Sequence, residues 1–214
     1  MIFNDHSELK GKHAVLGASK HAWLNDDDNK LIQRYVNSFS VEIGTAVHEY
    51  ACKRIDKKLK LLDNISEKNA LLLYLLDKGI PWNVIDIDRL FYNLMPYVND
   101  AIGYKMIPEL VIKYSDALFG TADAVIYSRN TLRIHDLKTG TMPADMDQLM
   151  IYAGLFFLEY KKQVNFQKSR VELRIYQNQE VLCHTPSLND VSGVMERIIH
   201  GSGVIENYIC GGMA

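Results

Sequence analysis

Two aspartates and a lysine are the residues of this chain best placed to do chemistry. Asp123 ends the run Gly-Thr-Ala-Asp, and thirteen residues later Asp136 opens Asp-Leu-Lys-Thr-Gly, which contains Lys138. Both aspartates fall in segments patterned as strands, where aspartate is depleted. Like charges facing each other across a strand pair are destabilising, and a divalent cation between them reverses the sign of that cost. The pattern therefore predicts a metal site.

The register of this strand pair decides whether the two aspartates meet. A two-residue turn at positions 129–130 would place Asp123 directly opposite Asp136, with Cβ atoms roughly 4.5–5.5 Å apart. A three-residue loop would instead place Asp123 opposite His135. Because the turn lacks the Asn-Gly signal of a two-residue hairpin, the sequence leaves both registers open.

Bulk composition indicates an ordinary globular protein. The chain has 214 residues, 48% hydrophobic and 23% charged, with a formal net charge of −2. This length suits one domain with a real core, and the charge provides no global basic field for nucleic acid. Three dispersed cysteines argue against a disulfide framework. No signal-peptide pattern opens the sequence, and its apolar runs are too short to span a membrane, so we expect a soluble intracellular protein.

Hydrophobic periodicity divides the chain into a helical first part, residues 1–103, and a sheet-containing second part, residues 104–214, which we interpret as one domain. The predicted helices are 19–24, 30–62, 66–78, 86–100 with an interruption near Pro96, 144–161 and 188–209. The predicted strands are 109–114, 119–127, 131–138, 170–177 and 180–183. The order predicts an α/β fold with a sheet core and an amino-terminal helical cap.

Two helical pairs with four-residue spacing accompany the aspartates. Gly44 and His48 share one face of the first long helix, and Gln148 and Tyr152 share a face of the helix after the strand pair. A glycine inside a helix costs about 1 kcal/mol relative to alanine, which indicates a close approach at Gly44. Gln148 and Tyr152 could offer hydrogen bonds to a phosphate or to the water shell of a metal.

Taken together, these motifs resemble the RecB-like branch of the PD-(D/E)XK nucleases over about residues 41–155. A short Ala-Ser-Lys run at 18–20 is also similar to the serine motif that opens many of these domains. The length looks like that of the stand-alone recombination exonucleases of bacteriophages and prophages. The motifs that carry the resemblance are Gly44-x-x-x-His48, Gly120-x-x-Asp123, Asp136-x-Lys138-Thr139-Gly140 and Gln148-x-x-x-Tyr152.

The resemblance implies a restriction-endonuclease-like core, a central mixed sheet flanked by helices, and a metal-dependent active site. His48, Asp123, Asp136 and the backbone carbonyl of Leu137 would bind Mg²⁺ or Mn²⁺, which suits their oxygen-rich chemistry. Asp123, Asp136 and Lys138 would be the catalytic residues, with Lys138 orienting or deprotonating the attacking water.

The remaining motif residues take supporting roles in the same resemblance. Gln148 and Tyr152 would bind the DNA strand, Glu109 would hold Lys138 or make a water-mediated metal contact, and Thr139 would support the site. The branch with an iron–sulfur cluster needs four cysteines, whereas this chain has three. We therefore expect no such cluster.

The implied function is a DNA exonuclease that processes ends for phage-type recombination or replication in the cytoplasm of a bacterial host. Implied partners are DNA and a single-strand annealing or single-strand-binding protein, with no membrane; a homo-oligomer is left open. One alternative is a structure-specific or nicking endonuclease with the same site. A second alternative is a non-catalytic nucleic-acid-binding module. A third is a metal-dependent phosphatase or nucleotidase, which a pocket too closed for a polymer would favour.

Overall fold

A computed structural model describes residues 4–11 and 13–211 of the chain. Its amino-terminal part is helical, and after the short 3₁₀ segments Ser7–Leu9 and Ala18–Asn25 four α-helices follow. They are α1 (Asp28–Ser38), α2 (Ser40–Asp56), α3 (Ile65–Asp77) and α4 (Ile87–Tyr104). The short predicted helix at 19–24 is thus a 3₁₀ segment, in which Lys20 leaves the helical conformation.

The prediction of one helix over residues 30–62 is wrong. Phe39 separates α1 from α2 with a non-helical backbone (φ −95°, ψ 1°). The charged tail after α2 is also not helical, since Lys58 takes a left-handed conformation at φ 55°. The Arg54 side chain then donates hydrogen bonds to the carbonyls of Leu59 and Lys60, at 3.0 and 2.9 Å. A side chain thus satisfies backbone acceptors that a longer helix would have used.

Two further predictions about helices need correction. The helix predicted from Ser66 begins at Ile65, and its cap is Asn64, whose side chain accepts a hydrogen bond from the Glu67 N–H at 2.9 Å. The predicted interruption near Pro96 does not occur, because α4 runs through it to Tyr104. A proline removes one helical hydrogen bond, and α4 keeps its course because it buries an apolar face over its whole length.

A five-stranded mixed sheet forms the centre of the fold and confirms the predicted fold class. The strands lie in the order β1 (Ile107–Ser115), β2 (Leu118–Ser128), β3 (Thr131–Leu137), β4 (Arg170–Gln177) and β5 (Glu180–His184). Only the β3–β4 pair is parallel. A parallel pair needs a crossover, which α5 (Asp147–Glu159) supplies. The last helix is α6 (Leu188–Gly211).

The β2–β3 turn resolves the question of register. Arg129 and Asn130 both have positive φ, 51° and 57°, as a two-residue hairpin turn of type I′ requires. Ser128 pairs with Thr131, and the pairing continues to Ala124 and His135. One residue further, the register puts Asp123 opposite Asp136, as the two-residue alternative predicts.

Separate hydrophobic clusters hold helices against the sheet. One cluster joins α2, α3 and α4 to the sheet through side chains such as Val47, Leu94 and Tyr176. The other joins α5 and α6 to it through side chains such as Ile134 and Phe157. None of the helices in ranges 4–11 and 13–211 is both long and apolar enough to cross a bilayer.

Candidate metal centre

Three carboxylates occupy one row across the first three strands. The β1–β2 pairs on either side of Glu109 place it opposite Asp123, and the β2–β3 register, extended by one residue, places Asp123 opposite Asp136. The row repeats on three strands the like-charge juxtaposition that destabilises a sheet. Pairing between strands, rather than spacing along the chain, brings Glu109 into the row.

His48 approaches this row from α2. Its Nδ1 lies 3.5 Å from Oδ2 of Asp123 and 3.9 Å from Oε1 of Glu109. One ligand atom from each of these three residues lies within 4.8 Å of the other two. One imidazole with carboxylate oxygens is a donor set that suits Mg²⁺ or Mn²⁺. The structure therefore gathers His48 and Asp123 as predicted, and gives Glu109 a place as direct as theirs.

Glu109 reaches this place through an unusual backbone conformation. Its φ is +50°, although it lies inside β1. The other non-glycine residues with positive φ within 4–11 and 13–211 lie in turns or just after helices. A non-glycine residue in this region costs of order 1–3 kcal/mol, and such strain concentrates at functional sites. The backbone of β1 therefore departs from the extended conformation at the residue whose carboxylate faces His48.

Asp136 is the most deeply buried carboxylate of the row, with 5% of its side chain exposed. Its Oδ1 accepts a hydrogen bond from Nζ of Lys138 at 3.2 Å. Its Oδ2 lies 3.0 Å from the same nitrogen, but in a geometry that makes no hydrogen bond, and it is buried from solvent. A buried acceptor without a donor is destabilising. The Lys138 ammonium lies close enough to offset the charge of this carboxylate. Oδ2 still accepts no hydrogen bond, so it is an oxygen that could take a metal ion, and the role of Asp136 as a metal ligand stays a prediction.

Lys138 contacts two side chains that belong to different sequence motifs, Asp136 and Gln148. Besides its contact with Asp136, its Nζ donates a hydrogen bond to Oε1 of Gln148 at 2.7 Å. Gln148 therefore positions the lysine from the first turn of α5. Because Gln148 is exposed, it also faces the space where a substrate would lie, and its predicted contact with DNA stays a prediction.

Asp123 is held by the end of β3. Its Oδ2 accepts a hydrogen bond from the backbone N–H of Leu137 at 2.8 Å. The pKa of Asp123 is raised to about 6, chiefly by burial; His48 and the Leu137 N–H oppose the rise, and Asp136 and Glu109 add to it. An aspartate with a raised pKa surrounded by two other acids is the electrostatic setting that a bound divalent cation relieves. The Leu137 carbonyl as a metal ligand stays a prediction.

Two of the motif glycines, Gly44 and Gly120, mark close approaches between a helix and the sheet or the loop after it. A Cβ on Gly120 would lie 2.9 Å from Cε1 of Tyr152, whose hydroxyl donates a 2.6 Å hydrogen bond to the Thr121 carbonyl. A Cβ on Gly44 would lie 3.4 Å from Oγ1 of Thr139. Tyr152 thus fastens α5 to β2, and Thr139 fills the space beside α2. A contact of Tyr152 with DNA stays a prediction.

Two residues that the sequence analysis missed hold the end of β3. The Asn93 amide donates to the Lys138 carbonyl at 3.0 Å, and the Arg89 guanidinium donates to the Thr139 carbonyl. Asn93 is 1% exposed and also accepts a hydrogen bond from the Gln179 N–H at 2.7 Å. A polar residue on the buried face of α4 was the signal that could have identified it, because buried amides need partners.

Two residues of the cluster, His48 and Glu109, line a surface cleft of about 520 Å³. The residues that line the cleft are Gly44, Thr45, His48, Glu49, Cys52 and Glu109. The exposed fraction of the acidic side chains falls from 44% at Glu109 to 14% at Asp123 and 5% at Asp136. The row therefore runs from the mouth of the cleft into the protein.

The comparisons with known proteins connect only part of this site with a family. A family model described as "Protein of unknown function (DUF2800)" matches residues 110–190. That segment contains Asp123, Asp136 and Lys138, and leaves out His48 and Glu109. No curated protein and no solved structure matches the chain. The match covers well under half of the chain and assigns it no activity.

Proposed function

We propose that this protein is a Mg²⁺- or Mn²⁺-dependent nuclease that hydrolyses phosphodiester bonds, with DNA ends as its substrate. The observation that carries the proposal is the position of a metal-ligand cluster beside a lysine–carboxylate pair in the same row of the sheet. His48, Glu109 and Asp123 converge within 4.8 Å, and Asp136, next in the row, contacts Lys138. The resemblance to RecB-like nucleases uses the same residue types in the same order.

The donor set accounts for the metal. His48, Glu109 and Asp123 would hold the ion. Asp136 lies outside this three-residue cluster, next to Asp123 in the row, and its Oδ2 is a buried oxygen without a hydrogen bond. Mg²⁺ or Mn²⁺ bound there supplies Lewis acidity towards a phosphoryl oxygen and lowers the pKa of a bound water.

Lys138 supplies the second element of the chemistry. Its ammonium is held at 2.7 Å from Oε1 of Gln148 and 3.0 Å from Oδ2 of Asp136. In this position it can bind the attacking water and offset the negative charge that develops on the phosphoryl group. A preorganised cation of this kind is an effective form of transition-state stabilisation. Lys138 is therefore the residue whose loss should stop turnover.

Exposure at the mouth of the site favours a polymer over a small closed-pocket substrate. Thr45 is exposed, and 44% of the Glu109 side chain is exposed. A phosphatase or nucleotidase would enclose its substrate more fully. The phage-type setting, the bacterial cytoplasm and an annealing or single-strand-binding partner belong to this proposal through the resemblance alone.

The first experiment compares a linear DNA duplex with a covalently closed circle of the same sequence, each incubated with Mg²⁺ or Mn²⁺. We expect loss of the linear form only, because an exonuclease needs an end. Nicking or linearisation of the circle would instead identify an endonuclease. If neither substrate is cut with either metal, the proposal of a DNA nuclease is wrong.

Two lysine variants serve as controls for this experiment. Lys138→Ala should lose cleavage, which excludes a contaminating nuclease as the source of the activity. Lys60→Ala removes an exposed lysine outside the site and should cut like the unmodified protein. Equal activity of the two variants would remove Lys138 from the mechanism.

A further inference from the structure

A second, smaller pocket lies next to the metal centre, between the end of α1, the start of α2 and the loop after β3. Its volume is about 190 Å³, below the roughly 300–1,000 Å³ of pockets that take drug-sized ligands. This size suits a single ring system. The side chains of Gln33, Asn37 and Ser40, which line it, are exposed, so a ligand can reach them.

The small pocket and the metal cleft share a wall. Gly44 lines the cleft and Thr139 lines the small pocket, and a Cβ on Gly44 would lie 3.4 Å from Oγ1 of Thr139. Along α2, Ser40 faces the small pocket and His48 faces the cleft, about 12 Å apart at 1.5 Å per residue. A polymeric substrate bound at the metal centre can therefore place a neighbouring group of the same strand in the small pocket.

The polar lining suits a neutral hydrogen-bonding group. Nε2 of Gln33 donates a 2.7 Å hydrogen bond to Oδ1 of Asn37. This contact leaves the Gln33 carbonyl oxygen as an acceptor and the Asn37 amide nitrogen as a donor. An adjacent acceptor and donor on amide side chains match the edge of a nucleobase, as Asn and Gln show with adenine.

The apolar and charged lining points the same way. Val36, Ile43 and Val84 provide apolar surface against which the face of a ring can pack. The cation of the lining, Arg89, already donates to the Thr139 carbonyl and lies 3.4 Å from Oδ2 of Asp86. Because Arg89 is already paired, the pocket offers little positive charge to bind an anion such as a phosphate. An uncharged nucleobase does not need that charge.

We infer that this pocket binds one unpaired nucleobase of the strand whose phosphate lies at the metal centre. The inference rests on the proposed nuclease function and extends it, because it assigns Gln33 and Asn37 to substrate binding. It also requires at least one nucleotide near the cut to be single-stranded when it is bound.

The test measures binding of single-stranded DNA of about twelve nucleotides, within the range of such sites, by fluorescence anisotropy with Mg²⁺. The protein carries Lys138→Ala so that the probe stays intact. In a series of probes, each base in turn is replaced by an abasic site. We expect removal of the base at one position to weaken binding about fivefold or more, the size of a lost base contact.

Variants of α1 assign that effect to the pocket. The double variant Gln33→Ala/Asn37→Ala should reduce the effect of the sensitive position to less than about twofold, because the amide contacts are gone. Asn29→Ala removes an exposed amide of the same helix outside the pocket and should leave the effect intact. The inference is wrong if no position is sensitive, or if the double variant keeps the full effect.

Cleavage of the same unmodified oligonucleotide by the protein with Lys138 intact separates this inference from the proposed function. Cleavage without a base-sensitive position would overturn the base pocket and leave the nuclease proposal in place. Base-sensitive binding without cleavage would support the pocket and overturn the nuclease proposal.

Discussion

At the scale of single residues, the site is a set of groups that lower the stability of the folded protein when no ligand is bound. Asp136 buries a carboxylate oxygen that accepts no hydrogen bond, Glu109 has a left-handed backbone inside a strand, and Asp123 has a raised pKa. Each of these features lowers the stability of the protein. One cation among the three carboxylates would offset the costs at Asp136 and Asp123, which are electrostatic.

Asp123 should make the stability of the metal-free protein depend on pH. Its pKa is raised from 3.8 to about 6 in the folded protein, so between these values the folded state holds a proton that the unfolded chain has lost. The stability from this group is present below about pH 4 and is lost as the pH rises through 6. Asp123→Asn should therefore stabilise the protein at pH 7 by roughly 2–3 kcal/mol, and little at pH 4.

Urea unfolding in the presence of a chelator, at pH 4 and pH 7, measures this difference. Asp63→Asn changes an exposed aspartate and should have the same small effect at both values. A stabilisation by Asp123→Asn that is equal at pH 4 and pH 7 would contradict a raised pKa at this residue.

At the scale of elements, close approaches between helices and sheet set the position of the site. Tyr152 on α5 lies against Gly120 of β2, and Thr139 after β3 lies against Gly44 of α2. The helix α5 is itself backed by α6, where a Cβ on Gly154 would lie 2.9 Å from Cδ1 of Ile198. The position of Gln148 beside Lys138 thus depends on how α5 packs.

Enlarging Gly154 should therefore destabilise the protein through the α5–α6 contact. Gly154→Val places a branched side chain against Ile198 and Val194, which lie 2.9 and 3.1 Å from the added Cβ. Overpacking of this kind costs about 1–3 kcal/mol, to be measured by urea unfolding. Gly193→Val is the control on α6, since outside its chain neighbours and the adjacent backbone of its own helix no atom lies within 4 Å of its added Cβ, and it should not destabilise the protein. An unchanged stability of Gly154→Val would contradict this prediction, since it would show that the α5–α6 contact accommodates the larger side chain without cost.

At the scale of the whole molecule, the fold stands on apolar packing on both faces of the sheet. Polar contacts add to it where α4 crosses the sheet, since Asp100 accepts 2.7 Å hydrogen bonds from Arg174 and from Tyr176. None of these groups belongs to the metal cluster. We therefore expect the protein to fold without metal and to be stabilised when metal binds.

This expectation gives a prediction for thermal unfolding. Saturating Mg²⁺ or Mn²⁺ should raise Tm, with a stabilisation of about 2.7 kcal/mol when the metal is a hundredfold above Kd. Asp136→Ala should unfold as cooperatively as the unmodified protein in chelator, but should lose most of the metal-dependent rise in Tm. Asp63→Ala, at an exposed position, should keep it. A full metal response in Asp136→Ala would remove this residue from the ligand set.

Local patterns in the sequence determined much of this architecture. Hydrophobic periodicity predicted all five strands and the helices α5 and α6, because this signal depends on neighbours along the chain. The same patterns misjudged α1, α2 and α4, because the chain breaks at Phe39, the Arg54 side chain bonds the carbonyls that follow α2, and burial keeps α4 helical through Pro96. Such contacts do not follow from local propensity.

For the site, the sequence by itself determined which residues to consider: His48, Asp123, Asp136, Lys138 and Gln148. Only the tertiary structure decided that Glu109 faces His48 as directly as Asp123 does, and that Asn93 and Arg89 hold the end of β3. The same holds for the small pocket, which needs the break at Phe39. The physical reason is common to all three cases: they arise from contacts across strands or between helices far apart in the chain, and a single sequence records no distance between such residues.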